Sequence, residues 1–146
     1  MDWSRRSLLT ATLTGSAGGA AATPFPDKRW QRRLLVVAAP SADHPDLARM
    51  RTEARTDAFA ARDLDLVELV GSEVRVDGEV VTSPGAATMR RAYDIDGRGV
   101  AVRLVGKDGT VKLARGEAVP MAEIYAVIDA MPMRRREMRE RSHSDG

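Results

Sequence analysis

The chain has 146 residues, 43% of them hydrophobic, a supply suited to the core of one domain with short extensions. Its 23 basic residues, nearly all arginine, and 21 acidic ones leave a formal charge of only +2, and without a basic stripe interleaved with aromatics nucleic acid is a poor partner. Cysteine is absent, which excludes thiol catalysis, disulfides and thiolate metal sites; the two histidines, His44 and His143, lie far apart without clustered carboxylates, so no metal site is expected and no motif implies a cofactor.

The N-terminus reads as an export signal. Ser4-Arg5-Arg6-Ser7-Leu8-Leu9 sets two arginines ahead of a weakly apolar stretch, Leu8 to Ala22, that ends in Ala20-Ala21-Ala22, a small-residue cleavage site. The arginine pair favours the twin-arginine route over the general secretory one. The stretch is too short and too glycine-rich to span a membrane, which takes about 20 mostly apolar residues. The mature protein is expected to begin near Thr23, outside the cytoplasm, in the periplasm or secreted. Residues 23–31 read as a linker, with Trp30 capping the core beneath the first strand.

Leu34 to Ala39 is apolar without alternation, which suits a strand covered on both faces. Pro40 stops it. Asp43 or His44 can cap the next helix, with Pro45 near its first position and Asp46 at its positive end, and this helix is expected to run to about Arg62. Leu64 to Val70 is a second strand, parallel to the first because a helical crossover joins them. Val74 to Val81, turning at Asp77-Gly78, reads as an added β-hairpin, and Ala86 to Tyr93 as a short helix closed by Asp94-Ile95-Asp96-Gly97. Val100 to Val105 and Thr110 to Arg115 flank Gly106-Lys107-Asp108-Gly109 as an antiparallel pair. Pro120 to Ala130 is the last helix; Pro132 breaks it, leaving residues 132–146 as an arginine-rich tail. The fold class is α/β: a single β-α-β-α-β-β-α domain over residues 32–131, with a mixed sheet, helices on both faces and an added hairpin.

That order resembles the thioredoxin-like fold. The stretches RLLVVAAPSADHPDLARMR, RRAYDI, VAVRLVGKDGTVKL and IDAMPMRRREMRER resemble the DUDES-type domain of unknown function, a thioredoxin-like family found in exported bacterial proteins and vertebrate extracellular matrix proteins. The resemblance spans Arg32 to Arg141. Its most telling pieces are Gly106-Lys107-Asp108-Gly109 and Asp129-Ala130-Met131-Pro132-Met133-Arg134. It implies a fold and a location, and no mechanism. A thioredoxin carries Cys-x-x-Cys in the turn held here by Ser41 to Pro45, and a proline before its third strand, where this chain has Gly97-Arg98-Gly99. Both are missing, and thiol-disulfide exchange and cysteine-peroxidase activity go with the thiolate.

Three constellations are candidate sites. Ser41, Asp43, His44 and Asp46 put a hydroxyl, two carboxylates and an imidazole at a helix N-terminus, a place that favours anions; helix capping accounts for the same residues, and neighbours on one turn cannot form a hydrolytic triad. Arg134, Arg135, Arg136 and Arg139 could dock on an acidic partner or anionic lipid, although Glu137 and Glu140 permit pairing along a solvated helix. Glu68 and Arg103 are charges within apolar strands, expected at sheet edges or pointing outward. Asp94-x-Asp96-Gly97 lacks the later ligands of a calcium loop and reads as a helix-ending turn. The leading expectation is a non-catalytic exported module that binds a protein or small anionic ligand. The alternatives are a cofactor-independent enzyme at the Ser41 to Asp46 turn and a structural envelope protein.

Overall fold

The computed structural model describes residues 24–97 and 99–145, so the expected export signal at residues 1–22 lies outside the described residues. A 3-10 turn, Pro26–Lys28, leads into β1 (Arg33–Ala39), α1 (Pro45–Glu53), α2 (Asp57–Ala60) and β2 (Leu64–Val70). Then come β3 (Glu73–Val76), β4 (Glu79–Val81), α3 (Ala86–Ala92), β5 (Ala101–Val105), β6 (Val111–Arg115), α4 (Met121–Asp129) and α5 (Pro132–Asp145). The strands form one mixed sheet in the order β4-β3-β2-β1-β5-β6. Only β1 and β2 are parallel, as their helical crossover requires, and the other neighbours are antiparallel.

Every residue of β1 is buried because both faces of the sheet are covered. On one face Leu35, Val37, Leu66, Val102 and Leu104 pack beneath Leu47 and Met50 of α1, Phe59 of α2, and Ile124 and Ile128 of α4. On the other, Leu34, Val36, Val67, Leu69 and Val105 meet Met89 of α3 together with Phe25, Tyr93 and Ile95. The period-2 geometry of the strand sends alternate residues of one apolar run to the two cores.

Several expectations change. The helix expected to reach Arg62 stops at Glu53 and restarts at Asp57, where Thr56 turns extended and its Oγ1 accepts the Phe59 N–H at 3.3 Å. The break delivers Phe59 to the core, which a straight helix with a narrow face of alanines leaves thin. The hairpin at Asp77-Gly78 is no appendage: β3 pairs with β2 from Val67↔Val76 to Val70↔Glu73. The Leu66 N–H donates to Asp77 Oδ1 at 2.9 Å, and the Asp77 N–H to Leu66 O at 2.8 Å. Glu68, expected at an edge or pointing outward, is buried within the sheet, because Arg51 of α1 reaches its Oε1 through Nε at 3.0 Å and Nη2 at 2.5 Å. Arg103 instead closes the end of α3: its Nε and Nη2 donate to the carbonyls of Tyr93 and Asp94, each at 2.8 Å.

Both ends of the domain are also more structured than expected. From Pro24 on, the linker folds onto the sheet, and Phe25, not Trp30, enters the core. Trp30 is 57% exposed with φ 71°, held in the left-handed region while its N–H donates to Lys107 O at 2.5 Å. At the other end Pro132 opens a new helix as well as closing the old one, since its missing N–H costs nothing in a first turn. The arginine-rich tail is therefore α5, and it packs on the domain.

Candidate functional site

The turn after β1 is built as a helix start. Ser41 Oγ donates to Asp43 Oδ1 at 2.7 Å, and His44 is the N-cap of α1, its Nδ1 accepting the Asp46 N–H at 3.2 Å. Asp46 Oδ1 takes Arg49 Nη2 at 2.9 Å. The structure thus brings Ser41 to Asp43 and His44 to Asp46, but the Ser41 proton goes to Asp43 and the Nδ1 lone pair of His44 to the backbone. None of the four residues lines a principal cavity among the described residues.

The opposite end of β1 is where charge collects. Arg33, its first residue, is 1% exposed and donates from Nη1 to Glu137 Oε1 at 3.2 Å and to Arg62 O at 2.9 Å, and from Nη2 to Glu137 Oε2 at 3.3 Å. Lys107 Nζ donates to the same Glu137 Oε2 at 2.7 Å and to Asp63 Oδ2 at 2.8 Å. Burial alone would raise the Glu137 pKa, but the hydrogen bonds from Lys107 and Arg33 outweigh it and hold the carboxyl below the usual range. Asp63 is likewise lowered, burial being overcome by Lys107.

A second set seats the rest of α5. Arg134 Nη1 donates to Ala61 O at 2.9 Å and its Nε to Asp129 Oδ1 at 3.3 Å, while Arg62 pairs with the same carboxylate at 2.9 Å and stacks 4.1 Å from the Tyr125 ring. The Asp129 pKa is lowered chiefly by the Arg62 hydrogen bond, with burial opposing and Arg134 adding. Tyr125 donates to Glu53 Oε2 at 2.8 Å, and burial plus that bond push its pKa up to about 12. Arg134 is therefore turned inward, away from any outside partner. Arg135, Arg136 and Arg139 stay exposed, their side chains without a partner among the described residues.

Two concavities flank this framework. One, of about 460 Å³, lies between Arg51, Arg55, Glu68, Arg75 and Asp77. Arg51 pairs with Glu68 there and Arg75 with Glu73, and the Asp77 pKa is raised by burial, with nearby Asp65 adding and the Leu66 N–H opposing. The other, of about 550 Å³, opens between the Gly106-Lys107-Asp108 turn and the Met131-Pro132-Met133 corner joining α4 to α5. Trp30 forms its lip with Arg29 5.3 Å from the ring, Val127 and the two methionines give it an apolar wall, and Arg33, Lys107 and Lys112 line it. Neither Arg33 nor Lys107 stood out in the sequence as part of a site, and the sequence ranks Trp30 as a core residue ahead of a binding one, whereas it is exposed. The available signal was that the two most telling stretches of the family resemblance contain this turn and this corner.

A mixed sheet with a parallel β1-β2 crossover, a closing antiparallel pair and helices on both faces defines a thioredoxin-like α/β domain. The fold is similar to that of Plasmodium yoelii Prx1a, a peroxiredoxin solved in a form modified at its N-terminus that makes an artifactual octamer, with a TM-score of 0.50 and 18% identity over 75% of this chain and 79% of that one. Residues 24–137 match the model of DUF4174, a domain of unknown function, and the chain belongs to that family. It is also similar to coiled-coil domain-containing protein 80 of Danio rerio, at 31% identity over 75% of this chain, and spans 15% of that relative's length. Among the described residues no group of His, Asp and Glu could hold a metal ion, and no helix is long and apolar enough to cross a membrane.

Proposed function

We propose that this chain is a non-catalytic binding module of the DUDES type, exported after removal of residues 1–22 and acting outside the cytoplasm. The observation that carries the reading is positional. The turn after β1, where a thioredoxin keeps its redox thiols, holds the His44 helix cap in a chain without cysteine, while the more apolar, cation-lined concavity lies at the other end of the sheet. Export is supported by the Arg5-Arg6 pair, the weak apolar region and the Ala20-Ala21-Ala22 site.

The test has two arms. Residues 1–22 fused to a reporter that works only outside the cytoplasm should confer activity, and Arg5→Lys with Arg6→Lys should abolish it; activity confined to the cytoplasm sinks the export reading. The purified full chain should show saturable, reversible binding of a small acid or a protein from a defined panel, followed by thermal shift. Turnover of any panel compound that disappears in His44→Ala without a change in Tm would replace binding by catalysis.

A further inference from the structure

The groove between the Lys107 turn and the Met131 corner contains unspent hydrogen-bond donors in an otherwise satisfied network. A guanidinium has five N–H groups and an ammonium three. Arg33 places its Nη donors on Glu137 and Arg62 O, yet its Nε is buried with no partner. Lys107, 9% exposed, uses two donors, on Asp63 and Glu137, and keeps a third. Both residues line the groove, as does Lys112, whose Nζ spends one donor on the lining acid Asp108, at 3.0 Å, and keeps two. Buried polar groups left unsatisfied are uncommon in folded proteins, and each asks for a partner.

The other wall has the opposite character. Met131, Met133 and Val127 are half-buried, and Trp30 stands exposed over them in a left-handed backbone conformation that a bulky side chain seldom adopts. Strain of this kind persists where the surroundings over-determine it, and here the Lys107 carbonyl fixes it through the Trp30 N–H. An apolar body with one anionic end matches the two walls together. The volume, about 550 Å³, is that of a small-molecule site. Glu137 supplies the precedent for the anion, since its carboxylate already bridges Arg33 and Lys107 in the bidentate manner that suits a guanidinium.

We propose that this groove binds a small amphipathic carboxylate, its apolar body against Trp30, Met131 and Met133 and its carboxylate at the cationic end formed by Arg33, Lys107 and Lys112. The proposal rests on the binding-module reading and adds the site and the ligand class.

The experiment uses the full chain carrying Trp3→Phe, so that Trp30 is the sole tryptophan, and follows its indole N–H resonance and its emission. Phenylbutyrate should move both in a saturable way, and its uncharged amide should bind about tenfold more weakly. Trp30→Ala, tested by calorimetry, and Lys112→Gln should each weaken the acid about tenfold with Tm little changed, because Trp30 is exposed and the Lys112–Asp108 pair faces solvent. Equal binding of acid and amide, binding unaltered in both variants, or inorganic phosphate competing as well as the acid would overturn the proposal. If no acid binds while a protein partner is retained equally by Trp30→Ala, this inference falls and the binding-module reading stands. If neither binds, both fall.

Discussion

The two ends of β1 are built from the same strand and treated oppositely. At its carboxyl end the chain leaves through Pro40 into an exposed turn whose polar groups satisfy one another within a few residues. At its amino end Arg33 is buried and depends on Glu137, 104 residues away. The first end can be altered locally. The second ties the start of the domain to its last helix, so a single change there is felt across the fold. The contrast shows that a buried ion network can dominate the end of a sheet from which this kind of fold does not run its chemistry.

The strongest way to break the contrast is Glu137→Ala. It strands Arg33 without its carboxylate and should destabilise the protein by about 3 kcal/mol in urea unfolding, as expected for a buried charge losing its partner. A loss below about 1 kcal/mol would place the network with ordinary surface pairs and erase the difference between the two ends. Acid should act on the same end. Asp63, Asp129 and Glu137 all have folded pKa values below the ordinary range, so their contribution is complete above about pH 5 and is lost as pH falls through those lowered values. Melts from pH 7 to pH 3 should show Tm falling over that window, and Glu137→Ala should flatten the fall.

Glu68→Gln sharpens the comparison in the middle of the sheet. Losing the charge-assisted bonds from Arg51 should cost about 1.5 kcal/mol, and a double-mutant cycle with Arg51→Ala should recover most of it as coupling. The smallest effect belongs to the carboxyl end. His44→Ala removes one cap and should cost about 0.5–1 kcal/mol, read as a shift in the urea midpoint, while leaving ligand binding untouched. A larger loss, or a change in binding, would return that turn to consideration as a site.

What the sequence disclosed and withheld follows one physical line. Strands and helices were legible wherever a single stretch carries its own reason: Leu34 to Ala39 is apolar throughout, the Asp77-Gly78 turn needs positive φ, and Pro120 lies in no helix interior. Pairings across long separations were not legible. Glu137 reads as the glutamate of a solvated helix and Arg33 as a charge ahead of a strand, and only the fold brings them to 3.2 Å. The same holds for Arg134, which looks like four neighbouring arginines until Ala61 and Asp129 claim it. Trp30 misled for a different reason: its size argues for the core, and nothing local announces a left-handed backbone. The groove escaped because its walls come from three separate segments, at residues 30–33, 106–112 and 127–133.

The sheet order also determines how the molecule meets copies of itself. Its rims are β4, three residues long and beginning at Glu79, and β6, which bears Lys112 and Arg115 and joins β5 through a register shift at Leu104/Val105. A strand approaching either rim meets charge beside an exposed valine, Val80 on β4 and Val111 on β6, and edge charge is a feature by which β proteins discourage edge-to-edge aggregation. Leu34, Val67 and the other apolar residues of the inner strands stay paired and covered.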